Sequence, residues 1–214
     1  MHAIKNLMDG TPLYHTLRAW RSWLRANGRR AAWEKQGRPV PPPDVVKQDI
    51  VKDYAKRYGA KTLVETGTYV GDMVQATKGA FERIYSIELS HDLAERARRR
   101  FASDRNVTIL QGDSGALLAE LLPKLAEPAL FWLDAHYSAG ITAKGDLDTP
   151  IVQELTHILQ PTGPRHVILI DDARCFGVDD DYPTIETISN FVRDRAPGYS
   201  TSVEHDSIRI VPTQ

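Results

Sequence analysis

Apolar positions along this chain change period, and each change marks a different kind of element. Between residues 11 and 35, Leu13, Leu17, Trp20 and Leu24 fall on one helical stripe, with arginines mainly on the other faces. That pattern predicts an amphipathic helix, with Gly28 as its point of interruption. Pro39-Val40-Pro41-Pro42-Pro43 follows as a stiff extended connector. It separates an N-terminal helical extension, residues 1–43, from a body of residues 44–214. Asp44 is placed to cap a helix reaching about Tyr58, with Val46, Ile50, Tyr54 and Tyr58 on its buried stripe and Gly59 at its end.

From residue 61 onward, short apolar runs alternate with helix-period segments. Strands are predicted at 61–65, 83–88, 107–110, 129–133 and 166–170. Helices open near Gly71-Asp72, after Ser90, after Gly112-Asp113-Ser114, at Thr149-Pro150 and at about 184. Runs such as Leu130-Phe131-Trp132-Leu133 and Val167-Ile168-Leu169-Ile170 lack polar alternation, as strands buried on both faces of a parallel sheet do. Tyr199 to Val211 reads as two closing strands with a turn near His205-Asp206. Five β-α units and a last hairpin predict an α/β, doubly wound, Rossmann-like sheet covered on both faces, with one antiparallel strand at its edge.

Composition changes this picture little: 214 residues, 42% hydrophobic and 26% charged, suit one domain with a full core and an appended segment. The single cysteine, Cys175, excludes an intrachain disulfide and favours a reducing compartment. No apolar run is long enough to cross a bilayer, and no signal-type segment follows Lys5. A cytoplasmic protein without stable membrane insertion is expected. Charge adds more. Residues 1–40 carry eight basic residues (Lys5, Arg18, Arg21, Arg25, Arg29, Arg30, Lys35, Arg38) against Asp9 and Glu34, so +6; with a total of −1, the remainder carries −7. Such an arm can lie over a site, bind an anionic surface, or dock on the body or on a second copy in a homodimer. Trp20, Trp23 and Trp33 fit docking. The body has no basic stripe and no recognised nucleic-acid motif, so no nucleic-acid partner is expected.

The candidate chemistry lies at the carboxyl ends of the strands, where open α/β sheets bind ligands. All five predicted parallel strands end there on acidic or glycine-containing segments. Glu65-Thr66-Gly67-Thr68-Tyr69-Val70-Gly71 and the following Asp72 form a turn without the second glycine of a dinucleotide fingerprint. An acidic strand end suits a cationic or amine-bearing cofactor better than a diphosphate. Glu88 stands about twenty residues beyond that turn, where such units place a carboxylate for ribose hydroxyls. Asp113-Ser114 is equally a helix cap or an adenine-side contact. Asp134, Asp171 and Asp172 end two apolar strands, and three converging carboxylates suit a hard divalent cation. His136 is a candidate general base, Lys144 the alternative, and Tyr137 a candidate wall of the acceptor pocket. Residues 136–149 form a long polar loop with Gly140 and Gly145, suited to a hydroxylated acceptor.

These motifs resemble those of the class I S-adenosylmethionine-dependent methyltransferases over residues 44–214. The resemblance implies a seven-stranded sheet whose last hairpin supplies the antiparallel strand. It implies that Glu65, Thr66, Gly67, Tyr69, Gly71, Asp72, Glu88, Asp113, Ser114 and Asp134 serve S-adenosylmethionine. Asp134, Asp171 and Asp172 look like the Mg2+ site of the magnesium-dependent small-molecule O-methyltransferases. The catechol enzymes of that group have asparagine at the position of Asp172 and a lysine at that of Tyr137. The all-aspartate set is nearer the sugar-modifying enzymes of macrolide biosynthesis, and the loop is similar to that of bacterial glycan-modifying members, methylmannose polysaccharide synthesis among them. The implied function is methyl transfer to a hydroxyl of a sugar or oligosaccharide. A phenolic acceptor, an NAD-type oxidoreductase and a non-catalytic anion-binding module are the alternatives.

Overall fold

A computed structural model describes residues 26–134, 150–179 and 182–213. His136, Tyr137, Lys144 and the 136–149 loop lie outside the described residues, as does the predicted helix up to residue 25. The chain forms two compact units, Met1–Lys47 and Gln48–Gln214.

In the first unit, helix α1 covers 26–35 and runs straight through Gly28. The expected interruption is therefore absent. Glycine costs a helix about 1 kcal/mol relative to alanine, and the adjacent Ala31 and Ala32 favour the helix. After Gly37 (φ 81°) the proline connector is fastened back on this helix. The Trp33 indole Nε1 donates to the Pro39 carbonyl at 2.7 Å, and the Arg38 guanidinium lies 5.9 Å from the Trp33 ring centre.

Helix α2, Asp44–Tyr58, leads into the second unit. There the elements follow as β1 Thr62–Thr66, α3 Asp72–Thr77, β2 Arg83–Glu88, α4 His91–Arg100, β3 Val107–Gln111, α5 Ser114–Leu121, β4 Ala129–Leu133, α6 Ile151–Ile158, β5 Val167–Ile170, α7 Ile185–Arg195, β6 Tyr199–Glu204 and β7 Ser207–Pro212. Caps explain several starts. Ser90 accepts from the Leu93 amide, Asp113 from Ala116 and Thr184 from Thr187, each supplying a partner for a first-turn donor.

The sheet has seven strands in the order β3-β2-β1-β4-β5-β7-β6. β1 to β5 are mutually parallel where they pair, and β7 is antiparallel to both its neighbours. The antiparallel strand is thus one place inside the edge, a correction to the expected edge position. Side-chain chemistry explains the order. β7 buries Ile208 and Ile210 completely, whereas β6 offers Ser200, Thr201, Ser202 and Glu204, which suit an exposed edge.

Strict alternation splits the strands between two cores. Val64, Phe131, Leu133, Ile168 and Ile170 face one layer with Leu118, Leu155, Ile188 and Val192. Leu63, Leu130, Trp132, Val167 and Leu169 face the other with Val51, Val74, Ala94 and Ala97. A parallel sheet buried on both faces is held rigidly, so the residues just past its strand ends are held too. His166 closes the opposite end: its Nδ1 accepts from the Ala129 amide at 3.1 Å, and burial pushes its pKa down to about 4.

Candidate active site at the carboxyl edge of the sheet

Register brings the acidic strand ends together. Thr66 pairs with Ile87 on one side and Leu133 on the other, and Leu133 pairs with Ile170. The next residues on these strands, Gly67, Glu88, Asp134 and Asp171, therefore form one row. The ladder continues one step past the strands: Asp134 N donates to Thr66 O and Asp171 N to Leu133 O, both at 3.0 Å. The strand order reverses at β1, between β2 and β4, so this row lies at the switch point where α/β sheets bind ligands.

The glycine turn is built around Glu88. Its Oε2 accepts from the Tyr69 amide at 2.7 Å and its Oε1 from the Ser90 amide at 2.9 Å. Tyr69 takes the left-handed conformation (φ 49°), which a β-carbon disfavours and which the Glu88 bond helps to hold. Gly71 also needs positive φ (79°), and a Cβ there would lie 2.7 Å from the Phe101 ring. Arg100 spans the outside of the turn, donating to the Val70 carbonyl and, at 2.9 Å, to the exposed carboxylate of Asp72. Glu88 retains lone pairs beyond these two bonds, as a carboxylate has about four acceptor sites.

Glu65 is enclosed at the end of β1. Its residue is 2% exposed, and its carboxyl accepts from the Ser86 hydroxyl, which is itself 2.6 Å from the Thr68 hydroxyl. It therefore shapes the turn from beneath. Burial, with the charges of Asp134 and Glu88 adding and the Ser86 bond opposing, raises its pKa to about 8. Thr66 is fully buried. Behind it, Glu154 of α6 faces the hydroxyls of Ser114 and Thr66; burial and then the nearby Asp113 raise its pKa to about 7. Asp113 acts as a helix cap through Oδ1, and Ser114 is 8% exposed. Glu154 gave no local signal beyond its place in an apolar helix stripe.

Asp134, Asp171 and Asp172 form the second half of the site. Each offers a carboxylate oxygen, and these lie within 4.8 Å of one another. Asp171 and Asp172 are buried and Asp134 half-buried. Asp171 Oδ1 accepts from the Asp172 amide at 2.8 Å. Asp172 is left-handed (φ 54°). Its Oδ1 accepts from Arg174 Nη1 at 2.7 Å. Buried like charges repel strongly, so such a grouping calls for positive charge. The donor set fits a hard divalent cation, which takes oxygen ligands.

Two further residues meet this cluster without having been expected there. Tyr182 stacks edge-on against Phe176 at 5.2 Å. Burial, then the charges of Cys175, Asp172 and Asp134, raise its pKa, so its phenol stays protonated. Burial raises the Cys175 thiol to about 11, with Asp179 adding, which leaves it a poor nucleophile. Among the described residues, no helix is long and apolar enough to cross a membrane.

No protein-family model matches the chain. Over 70 residues, 33% of the chain, it is 39% identical to ribosomal RNA small subunit methyltransferase A of Acidobacterium capsulatum; those residues span 24% of that relative. Among solved structures it is similar to the O-methyltransferase TomG of Streptomyces achromogenes, involved in tomaymycin synthesis and solved with S-adenosylmethionine (TM-score 0.57, 19% identity, covering 88% of this chain and 89% of that one). It is also similar to an O-methyltransferase of Bacillus cereus in complex with S-adenosylhomocysteine (0.56, 15%, 88% and 90%). A third is the methyltransferase PaMTH1 of Podospora anserina bound to S-adenosylhomocysteine (0.57, 16%, 92% and 96%). At these identities the likeness is one of architecture: the chain has the Rossmann-like, seven-stranded fold of these methyltransferases.

Proposed function

We propose that the protein is an S-adenosylmethionine-dependent O-methyltransferase that uses a divalent cation to bring a hydroxyl of a sugar, oligosaccharide or similar polyhydroxylated acceptor to the donor methyl. The observation that carries this reading is the grouping of Asp134, Asp171 and Asp172 beside a glycine turn held by Glu88. Gly67, Tyr69, Gly71 and Glu88 would line the donor, with Glu65 and Thr66 beneath. Asp113 and Ser114 lie on the adenine side, and Asp72 at the outer end of the turn. Asp134, Asp171 and Asp172 would hold Mg2+.

An aliphatic hydroxyl is a poor nucleophile at neutral pH, and a bound cation stabilises the developing alkoxide. The acceptor oxygen forms a bond to the methyl carbon as the carbon–sulfur bond breaks. S-adenosylhomocysteine leaves as a neutral thioether, and the hydroxyl proton passes to a base, for which His136 is the proposed group and Lys144 the alternative. Much of the remaining work is alignment of oxygen, carbon and sulfur. Tyr182, a protonated phenol under the influence of the Asp172 and Asp134 charges, would be able to donate a hydrogen bond to an acceptor oxygen, and Tyr137 remains the proposed wall residue.

The match to a ribosomal RNA methyltransferase favours a second reading, methyl transfer to RNA. A three-carboxylate cluster at the acceptor side weighs against a polyanion there. One screen separates the readings: labelled S-adenosylmethionine with Mg2+ is offered sugars, oligosaccharides, phenols and total RNA, and methylated product is sought by mass spectrometry. Label in RNA alone overturns the carbohydrate reading, and label in phenols alone narrows it to aromatic acceptors. Asp171→Ala is expected to abolish turnover, without rescue by excess Mg2+, while S-adenosylhomocysteine still binds. Near-normal turnover in that variant refutes the cation assignment.

A further inference from the structure

The segment that carries Asp171 and Asp172 is tied to a residue far along the chain. Asp206 sits in the turn between β6 and β7, 5% exposed, with φ 61°. It meets the segment at three points. Its carbonyl accepts from the Ala173 amide at 2.9 Å, its Oδ1 accepts from the Arg174 amide at 2.9 Å, and its Oδ2 accepts from Arg174 Nη1. The same Nη1 donates to Asp172 Oδ1 at 2.7 Å. One guanidinium nitrogen is therefore shared between a proposed cation ligand and a carboxylate of the closing hairpin.

We infer that Asp206 is a positioning residue for the acidic cluster, acting through Arg174: it draws the guanidinium partly away from Asp172 and so leaves Asp172 able to serve a divalent cation. The inference rests on the cation reading of Asp134, Asp171 and Asp172. Its logic is competition. A guanidinium and a divalent cation both seek the Asp172 carboxylate, and a guanidinium cannot give up its charge by losing a proton. With a neutral residue at 206, Arg174 falls more fully to Asp172 and opposes the incoming cation, both by occupying an oxygen and by its own charge. The two backbone-amide bonds at Ala173 and Arg174 keep this geometry fixed, since both donors belong to the turn that follows Asp172. A partner that orients a ligand without touching the metal commonly changes metal affinity by about 10–100-fold when replaced.

The test uses the full chain and Mn2+ as the probe, with free Mn2+ counted by electron paramagnetic resonance, alongside S-adenosylhomocysteine affinity by calorimetry. Asp206→Asn keeps the carbonyl and a side-chain oxygen for the Arg174 amide but removes the charge. It is expected to weaken Mn2+ binding about tenfold and to leave S-adenosylhomocysteine affinity close to that of the unaltered protein, with a lower Tm from the lost charge-assisted bond. Arg174→Met removes the competitor and is expected to bind Mn2+ at least as tightly as the unaltered protein. In the Arg174→Met background, Asp206→Asn is expected to have no further effect on Mn2+. Equal Mn2+ affinity in Asp206→Asn and the unaltered protein overturns the inference, as does the same tenfold loss in the Arg174→Met background. If Asp206→Asn does not fold, Arg174→Met decides: weaker Mn2+ binding with normal S-adenosylhomocysteine affinity is then the overturning result. Failure of the unaltered protein to bind Mn2+ at all is a different outcome. It sinks the cation reading itself, and the inference with it.

Discussion

Replacing Glu65 by glutamine is expected to make the protein more stable at alkaline pH, and the size of the effect follows from burial. The Glu65 pKa is near 4.5 in an ordinary setting and about 8 in the folded protein, chiefly because its carboxyl is taken out of water. Between those values the unfolded chain has lost the proton and the folded protein keeps it. The unfolded state thus binds fewer protons, and stability falls as pH rises. The loss begins near pH 4.5, continues to about pH 8 and is flat above it. Three and a half pH units at about 1.4 kcal/mol each give a loss on the order of 5 kcal/mol. That is a large share of a typical domain stability of about 5–15 kcal/mol. Glutamine cannot ionise and still offers Ser86 an acceptor oxygen. The assay is urea unfolding of the ligand-free protein from pH 5 to 9, followed by tryptophan fluorescence. The difference between Glu65→Gln and the unaltered protein is expected to widen from pH 5 to about pH 8 in favour of the variant and to level off above that. Parallel pH profiles would falsify the account of Glu65 as a neutral acid beneath the turn.

Other perturbations probe the same frame. Glu88→Ala removes the acceptor of the Tyr69 and Ser90 amides, and each lost charge-assisted bond is worth about 1.5–3 kcal/mol; calorimetry is expected to show S-adenosylhomocysteine binding weakened by at least about tenfold. Gly71→Ala brings a methyl group to 2.7 Å from the Phe101 ring at a φ of 79°, so a fall in Tm together with weaker S-adenosylhomocysteine binding is expected, and an unchanged Tm counts against the close approach. His166 has a folded pKa of about 4 against 6.5, so the unfolded chain takes up its proton first as pH falls. Its contribution is complete above pH 6.5 and is lost from there down to about pH 4, and His166→Gln is expected to flatten that part of the urea-stability profile.

Much of the fold was legible because parallel strands buried on both faces must be apolar throughout. Leu130 to Leu133 and Val167 to Ile170 advertise themselves, and their terminal aspartates mark where the chain reaches the sheet edge. Caps were legible for the same reason: Ser90 and Asp113 sit where a first helical turn needs an acceptor. Gly28 misled because a single glycine lowers helix propensity without abolishing it. The place of β7 was not legible, since the order of two closing strands depends on which one buries its side chains. Glu65 was legible as a strand-end acid, but its bond to Ser86 was not, since that partner lies across the ladder on β2. Arg174, Asp206, Glu154 and Tyr182 escaped notice for another reason. Each acquires its role from a partner distant in sequence, as Arg174 does from Asp206, and no local pattern records that pairing.

The division of the acids into two kinds carries the functional argument further. Glu65 and Glu154 are fully enclosed, and burial raises both toward or above neutral pH, so they are predominantly uncharged or half-charged supports at pH 7. Glu88, Asp134, Asp171 and Asp172 instead meet donors or one another along the rim, where backbone amides and Arg174 hold them. The rim is therefore rich in carboxylates, and Arg174 spends its single charge on two of them, Asp172 and Asp206. A ligand that brings positive charge lowers the free energy of this arrangement, and one that brings phosphates raises it. A sulfonium donor and a divalent cation both meet the first condition, whereas a dinucleotide or an RNA backbone meets the second. Methyl transfer from a sulfonium to a neutral hydroxyl is thus the chemistry that the charge pattern favours.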